Sequence, residues 1–460
     1  MWRLIILDHE MQVMRFAHLS VQEYLETRKD SWGIIDAERF VSEACLWALQ
    51  CGPSAIPALY DYSSHNWFRH CRSYQDIALV QNTPDPNHSL DIPILNTFLG
   101  SFNDASVRFG EWVGWLMEYT QSHWHQGRAM YRSILSTPLT PAFTAAVCGL
   151  GELVSWLWYS EGADMNIKND ENYSLLHLAS EYGTTWIISC VITRAADLDI
   201  NEVCNSATAL TGAVQSGVLE NVTLLLDEGA DINLTLGEDY DTPLEAAAAN
   251  AKLVIARLLL DRGADVNLIS DGEYGTALGA AAFCGELEMA TLLLDRGADI
   301  NLIPGGKCGT ALEAAAYGGE LEIATLLLDR GADINLVSGG ECGTALGVAA
   351  YGGELEIVTL LLDRGADINI IYGGEYGTAL AAAVASRWGK PEVTKLLLDR
   401  GANPDLANHL GQKPRDLARG SDEVVSMLDS YSAGRTESQM NHSQVPADGS
   451  KDGEPCREER

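Results

Sequence analysis

The sequence lacks the short motifs that mark many enzymes, zinc sites and membrane spans. It has no GxxxxGK[ST] phosphate-binding loop, because residues 306–308 read Gly-Lys-Cys and residues 389–391 read Gly-Lys-Pro. It also has no GxSxG elbow and no CxxC pair. No apolar stretch approaches the roughly 20 residues that a membrane helix needs. We therefore expect no catalytic residue, no cofactor, no bound metal, no enzyme activity and no membrane span.

Basic residues are scarce, and this limits the kinds of partner. The chain has 30 Lys and Arg against 64 Asp and Glu, a formal net charge of −34. Residues 1–135 contain 15 acids and 10 bases, whereas residues 136–375 contain 36 acids and 9 bases. A field of this sign repels nucleic acids and anionic membranes and favours a protein partner with a cationic surface. Solubility alone is the alternative explanation, and the oligomeric state does not follow from the charge.

The ten cysteines show no disulfide framework. Cys308 and Cys342 lie 34 residues apart at equivalent positions of adjacent repeats. Packed helices are about 8–10 Å apart, beyond the ~7 Å between Cα atoms that a disulfide tolerates. The first ten residues, MWRLIILDHE, have too short an apolar run for a signal peptide. Reduced thiols and no signal peptide predict a cytoplasmic location, with the nucleus as the alternative.

What the chain does contain is a repeat. A threonine recurs every 34 residues, at Thr242, Thr276, Thr310, Thr344 and Thr378, and a glycine recurs at the same interval, at Gly229, Gly263, Gly297, Gly331 and Gly365. A fixed period of this size indicates a stack of similar helical units, each of which buries its apolar face against its neighbours. Such a stack leaves a long surface free for another protein.

Each repeat reads as two helices and a hairpin, as residues 275–307 illustrate. Thr276 is a helix-capping residue, and the alanine-rich run that follows favours a helix with close neighbours. A second helix is predicted for residues 286–296, where leucines recur at helical spacing, and Gly297 supplies the left-handed residue at its end. The Pro-Gly-Gly segment at 304–306 predicts a hairpin between repeats.

These residues resemble the ankyrin repeat, whose pattern begins T-P-L-H-x-A-A and ends L-L-L-x-x-G-A-D. Residues 242–247 (TPLEAA) match its opening and residues 258–267 (LLLDRGADVN) match its close. The resemblance implies an all-α fold, an ankyrin-repeat solenoid of about eight repeats over residues 136–430. The family histidine is kept only at His177, and its loss elsewhere is expected to remove a hydrogen bond that stiffens the turn; it is replaced by Glu245, Gly279, Glu313, Gly347 and Ala381.

Two further regions flank the predicted array. Residues 1–135 have helical apolar spacing and are predicted to form a helical region. Within them, residues 15–25 (RFAHLSVQEYL) resemble the end of the winged-helix region in fungal NACHT–ankyrin proteins, which are NLR-like receptors. That resemblance implies a linker and sensor portion without the NACHT NTPase module. Residues 431–460 are polar and rich in Ser, Gly and Glu, which predicts a disordered tail.

Candidate binding residues are those that differ between otherwise near-identical repeats. In the ankyrin fold these positions lie on the first helix and the hairpin tip, at the concave side. We expect Phe283, Tyr317 and Tyr351 to form a ladder of rings, with exposed aromatic residues as anchors. The alternative is that the tyrosines merely cover neighbouring alanines. The full set of predicted partner-binding residues is Tyr240, Tyr274, Phe283, Lys307, Tyr317, Glu341, Tyr351, Tyr372, Glu375 and Tyr376.

The function that the sequence favours is non-catalytic protein–protein recognition through the concave face of the array. The resemblance to NACHT–ankyrin proteins implies the sensor and linker part of an NLR-like protein. Two alternatives stay open: a stand-alone adaptor or scaffold, and the C-terminal fragment of a P-loop NTPase receptor with a misplaced start.

Overall fold

The structure is a computed structural model of the 460-residue chain. The residues that it describes are 5–8, 13–16, 166–169, 172–182, 185–195, 197–204, 207–236, 242–304, 309–339, 342–386, 391–418 and 422–442. The chain divides into two compact units. Unit 1 comprises residues 1–236 and 254–264, and unit 2 comprises residues 237–253 and 265–460.

Two short antiparallel strands lie near the N-terminus. Strands β1 (Ile5–Asp8) and β2 (Val13–Phe16) pair antiparallel, with Ile5 opposite Phe16 and Asp8 opposite Val13. These eight residues form strands, whereas residues 1–135 were predicted to form a helical region. Each apolar segment spans only four residues, which is enough for a strand but too short for a helix. Residues 17–135 of that predicted region lie outside the described residues.

The other regular elements of the described chain are helices. In unit 1 the helices are α1 (Leu175–Tyr182), α2 (Thr185–Arg194), α3 (Ala209–Ser216), α4 (Leu219–Asp227) and all but the first residue of α6 (Leu253–Asp261). Unit 2 contains α5 (Pro243–Ala249), α7 (Ala277–Phe283), α8 (Leu287–Asp295), α9 (Ala311–Gly318), α10 (Leu321–Asp329), α11 (Ala345–Gly352), α12 (Leu355–Asp363), α13 (Ala379–Ala385), α14 (Pro391–Asp399), α15 (Pro414–Leu417) and α16 (Asp422–His442). This alternation of helix pairs is the predicted all-α architecture.

Six of the first helices, α3, α5, α7, α9, α11 and α13, begin at a threonine. The hydroxyl oxygens of Thr208, Thr242, Thr276, Thr310, Thr344 and Thr378 accept a hydrogen bond from the amide three residues on, at 2.9–3.2 Å. The cap satisfies an amide that the helix cannot pair internally. The alanines behind it are fully buried, as Ala280 and Ala281 are in α7. Small side chains thus let consecutive first helices approach closely.

Consecutive repeats of unit 2 pack helix on helix. The first helices follow one another in the order α5, α7, α9, α11, α13, and the second helices in the order α8, α10, α12, α14. Leucines such as Leu293 in α8 and Leu327 in α10 have no exposed surface. In unit 1 the same arrangement joins α1 to α3 and α2 to α4.

Two sets of polar contacts join neighbouring repeats. An asparagine side chain accepts a hydrogen bond from the backbone amide of an aspartate in the next repeat. The Asp333 amide, for example, donates to Asn301 Oδ1 at 2.8 Å. The same bond joins Asn201 to Asp231 in unit 1, and Asn267 to Asp299 and Asn335 to Asp367 in unit 2. The second set comprises the ion pairs Arg262–Asp227 in unit 1 and Arg330–Asp295, Arg364–Asp329 and Arg400–Asp363 in unit 2, with nitrogen–oxygen distances of 2.7–3.0 Å.

The C-terminal segment differs from the prediction. Helix α16 runs from Asp422 to His442, so twelve residues that were predicted to be disordered are helical. A helix that is already nucleated gains one hydrogen bond per added residue, and no proline interrupts the chain before Pro446. Residues 443–460 lie outside the described part of the chain. Among the residues that the structure describes, no helix is long and apolar enough to span a membrane.

Candidate protein-binding face

Aromatic rings from neighbouring repeats stack along the first helices of unit 2. Phe283 ends α7, and its ring stacks on Tyr317 of α9 with centroids 5.6 Å apart and an interplanar angle of 24°. Tyr274, from the preceding hairpin, packs against Phe283 at 5.2 Å and 50°. Tyr351 of α11 stacks instead on Tyr376 of the next hairpin, at 5.2 Å and 24°. The predicted ladder is therefore only partly formed, because Phe283 and Tyr317 stack on each other whereas Tyr351 stacks on a hairpin ring and not on Tyr317.

These rings differ in exposure, and an exposed ring can contact a partner whereas a half-buried ring mainly packs against its neighbours. Tyr317 is 62% exposed, whereas Phe283 and Tyr351 are half-buried. A large exposed aromatic side chain that is held in place by a stacked neighbour loses little conformational freedom on binding. Tyr317 is therefore the best-prepared anchor among the described candidates.

Three predicted contact residues are buried. Tyr274, Tyr372 and Tyr376 expose only 8%, 3% and 6% of their surfaces, so they are not the exposed anchors that the sequence suggested. Tyr376 packs on the alanines of α13, in a cluster with Ala381, Ala382 and Ala385. Burial also raises the pKa of the Tyr372 and Tyr376 hydroxyls far above their ordinary range, which keeps both neutral. The Tyr376 ring covers alanines, as the alternative predicted, and partner binding by these three tyrosines stays a prediction.

The other candidates divide between exposed and undescribed positions. Glu375 is exposed at its hairpin. Tyr240, Lys307 and Glu341 lie outside the described residues, so their role as partner-binding residues stays a prediction.

Glutamates border the rings at the turns between first and second helices. A carboxylate oxygen of Glu320 lies 2.7 Å from the position that a β-carbon on Gly285 would occupy, so this carboxylate sits over the turn of the preceding repeat. Glu354 is placed in the same way over Gly319, at 3.3 Å. Burial raises the pKa of the nearby Cys284 thiol, and the charges of Glu286 and Glu320 raise it further, so this thiol is not an activated nucleophile. We call Phe283, Tyr317, Glu286, Glu320 and Glu354 the acidic aromatic face.

Positive charge in this part of unit 2 lies elsewhere. The basic residues among those described between 265 and 386 are Arg296, Arg330 and Arg364, each directly after a second helix. Arg330 and Arg364 pair with aspartates of the preceding repeat. The described arginines thus lie at the ends of the second helices, and none of the described basic residues between 265 and 386 belongs to the acidic aromatic face.

Sequence reasoning missed a set of buried polar pairs beneath the hairpins. The Ser270 hydroxyl donates to Glu245 Oε2 at 2.8 Å, and the Ser338 hydroxyl donates to Glu313 Oε2 at 2.7 Å; both glutamates are buried. Loss of the ankyrin histidine was expected to remove a hydrogen bond at this position. In these two repeats the glutamate side chain provides a hydrogen bond instead. The sequence did contain a signal for these pairs. Each glutamate stands at the otherwise apolar start of a helix, and a serine follows it 25 residues later.

The retained histidine makes the corresponding contact in unit 1. Ser174 Oγ lies 2.7 Å from His177 Nδ1, and His177 Nε2 lies 3.0 and 3.2 Å from the carbonyl oxygens of Glu202 and Ala207. Burial lowers the pKa of this imidazole, so it is neutral. His177, Glu202 and Cys204 could together offer three metal ligands. Both ring nitrogens are already engaged, however, and Lys168 pairs with Glu202 at 2.5 Å, so the cluster fits a structural clamp rather than a metal site.

Comparison with known families accounts for this architecture. The family model for ankyrin repeats matches three times, at residues 142–236, 235–304 and 312–408, which is more than half of the chain. The chain belongs to the ankyrin repeat family. Among solved structures, the crystal structure of the human ASB11 ankyrin repeat domain is 27% identical with a TM-score of 0.42, and the match covers 49% of this chain and 98% of that one. A search of curated proteins found no match.

Membership of the ankyrin family confirms the predicted fold and the coarse function. Ankyrin arrays generally mediate protein–protein interactions and are typically non-catalytic scaffolds. The geometry of unit 2 agrees with that role, because its distinctive surface combines an exposed ring with carboxylates.

Proposed function

We propose that this ankyrin protein is a non-catalytic recognition module that binds a protein partner through the acidic aromatic face. The observation that carries the proposal is Tyr317, which is largely exposed and yet held against Phe283 by ring stacking. Tyrosines in this situation are over-represented among the residues that dominate binding energy. Truncation of such an anchor typically weakens binding by about 2 kcal/mol or more.

The partner that we propose has a cationic surface. A lysine or arginine that approaches the Tyr317 ring can bind its π face and meet the carboxylates of Glu320 and Glu354 at the adjoining turns. The carboxylates of this face favour encounter with a cationic protein and disfavour nucleic acid. Because the carboxylates are accessible to solvent, binding should weaken as salt is raised.

The test is a peptide-display selection on the purified full-length chain. We expect enrichment of sequences that combine Lys or Arg with apolar residues, and we expect the selected peptides to lose at least tenfold in affinity for Tyr317→Ala and several-fold for Glu320→Gln. Glu322→Gln is the matched control, because it removes the same charge from an exposed position of α10. Selected peptides without basic residues, or equal affinity for all three variants, would contradict the proposal.

A finer role rests on sequence resemblance alone. We propose that the array acts as the sensor, and residues 1–135 as the linker, of an NLR-like protein in the cytoplasm. The support is the likeness of residues 15–25 to NACHT–ankyrin proteins, and most of that segment lies outside the described residues. Determination of the transcript upstream of the Met1 codon tests it. A reading frame that continues into a P-loop and winged helix supports this role, whereas a stop codon directly upstream favours the stand-alone adaptor.

A further inference from the structure

Exposed aliphatic side chains recur along unit 2, one in each of four consecutive repeats. They are Ile269, Ile303, Val337 and Ile371, which stand 34 residues apart and expose between 42% and 56% of their surfaces. We call these four residues the aliphatic stripe; none of them belongs to the acidic aromatic face. Apolar residues that are scattered singly are ordinary on a protein surface, whereas a row with one member in each repeat is a candidate contact surface.

The same backbone bonds hold every member of the stripe in place. Two residues before each member, an asparagine amide donates to the side chain of the aspartate that precedes it by two, at 2.9–3.0 Å. The amide of the next residue donates to the carbonyl oxygen of that aspartate, at 3.2–3.5 Å. Directly after three of the members, the amides of Ser270, Ser338 and Tyr372 each donate to the carbonyl five residues on, at 2.9–3.0 Å.

Neighbouring turns are also held beside one another. The aspartate amides of three successive repeats, Asp299, Asp333 and Asp367, donate to the asparagine side chain of the repeat before, at 2.7–2.8 Å. The stripe is therefore built on turns that are already ordered, and ordering it on binding costs little conformational entropy.

The turn itself does not require an aliphatic residue. In the preceding repeat the equivalent residue is Thr235, which is exposed and polar. It follows the same turn, in which the Asn233 amide donates to the Asp231 side chain at 2.9 Å. The aliphatic identity of the stripe is thus not explained by local folding.

Charge and area restrict what can cover the stripe. An exposed aspartate stands four residues before each member, and exposed acids follow in the hairpins at Asp271, Glu273 and Glu375. A second copy of the chain would bring like charges together. Four half-exposed side chains also offer much less than the roughly 800 Å² that each partner contributes to a stable protein interface. A short cationic segment of a partner protein fits both observations.

The spacing of the stripe selects the conformation of that segment. Packed helices lie about 8–10 Å apart, so neighbouring members of the stripe are separated by about the same distance. A polyproline II segment rises about 3.1 Å per residue with three residues per turn, which returns a side chain to the same face every ~9 Å. A β-strand does so every ~7 Å, out of step with the repeats, and an α-helix does so at this spacing only about every seventh residue, which needs a much longer segment.

We propose that the aliphatic stripe binds a segment of a partner protein in the polyproline II conformation, with an apolar residue at every third position and basic residues between. A segment of about ten residues places one apolar side chain on each member of the stripe. Its basic side chains meet the acids of the turns and hairpins. This surface goes beyond the proposed function, because its residues are different from those of the acidic aromatic face.

The experiment measures binding of a fluorescent peptide of four Leu-Pro-Lys triplets to the full chain by fluorescence polarisation. A variant in which all four members of the stripe are changed to threonine should bind it on the order of a hundredfold more weakly, since each half-exposed aliphatic side chain contributes a few-fold. A peptide of the same composition in which no two leucines stand three residues apart should bind the natural chain weakly, as should four Leu-Pro-Glu triplets.

Threonine is the natural residue at position 235, so the fourfold variant should fold, and a thermal melt checks this. Val254→Thr is the matched control, because Val254 is an exposed valine outside the stripe. Should the fourfold variant not fold, Val337→Thr against Val254→Thr makes the same comparison, with an expected loss of about threefold or more for Val337→Thr alone.

Equal binding by the natural chain and the folded fourfold variant would overturn the proposal, as would equal binding of the two leucine peptides or no binding of the first. A natural chain that dimerises, and that the fourfold variant makes monomeric, would assign the stripe to a second copy instead. Loss of the peptide in Tyr317→Ala but not in the fourfold variant would place it on the acidic aromatic face, so that only the inference about the stripe fails. If the stripe variants behave as expected while the displayed peptides ignore the acidic aromatic face, only the proposed function fails.

Discussion

Replacing Glu313 by glutamine tests whether its buried carboxyl group destabilises the fold at neutral pH. Glu313 is only 3% exposed; burial raises its pKa, and the Ser338 and Thr310 hydrogen bonds lower it in part. Glutamine is almost the same size as glutamate and carries no charge. Its amide oxygen can still accept the hydrogen bond from the Ser338 hydroxyl. Relief of a buried charge of this kind should stabilise the protein by on the order of 1 kcal/mol at pH 8.

The pH dependence has a definite sign. A carboxyl group whose pKa is raised on folding contributes stability that is fully present below its unfolded pKa, for which the reference value is 4.5, and that is lost as the pH rises through the folded pKa. The advantage of Glu313→Gln over the natural protein should therefore be small below pH 4.5 and should grow with pH until the folded group has ionised.

The assay is urea unfolding, followed by circular dichroism at a series of pH values, for the natural chain and for Glu313→Gln. Glu322→Gln serves as the control, because it removes an equal charge from the exposed side of α10. Only the difference in unfolding free energy is used, so that titrations shared by all variants cancel. A Glu313→Gln difference that is constant with pH, or a variant less stable than the natural protein at pH 8, would refute the reasoning.

Three further perturbations follow from the packing. Thr344→Ala removes a cap and should lower stability by about 1 kcal/mol, whereas Thr344→Ser should retain most of it in thermal melts. Leu327→Ala should cost about 2–5 kcal/mol in denaturant titrations, since that side chain is fully buried in α10. A double-mutant cycle on Arg330 and Asp295 should give a coupling of no more than about 1 kcal/mol that falls in high salt, because both side chains are substantially exposed; a larger, salt-independent value would contradict this.

The repeat architecture could be predicted because its signals are local and periodic. Each capping threonine, such as Thr276, needs only its own helix to act, and the 34-residue recurrence fixes where helices begin and end. The strand pair β1–β2 and the extension of α16 were not predicted, since four-residue strands and polar helix ends leave weak patterns.

The candidate site was predicted only in part. Tyr317 and Phe283 were identified from variation between repeats, and their stacking agrees with that expectation. The burial of Tyr372 could not be read from its own position, because it depends on the absence of a side chain at Gly343 and Gly347. The Glu313–Ser338 pair was missed for a similar reason: the two residues are 25 positions apart, and a glutamate in a helix is ordinarily taken as exposed.

The contacts between repeats bear on how such a chain changes over generations. Between residues 265 and 386 of unit 2, the same two contacts recur from one repeat to the next. One is the hydrogen bond from an aspartate amide to an asparagine side chain, and the other is the Arg–Asp ion pair. Glu313–Ser338 and Gly347–Tyr372, by contrast, each lie inside a single period that starts at its capping threonine. Recombination can add or remove one whole period, from one capping threonine to the next. Such a change keeps both residues of each pair in the same period and brings the same residue types together at the new junction. The length of the array, and with it the footprint offered to a partner, is therefore a trait that can change in single inherited steps while the fold is kept.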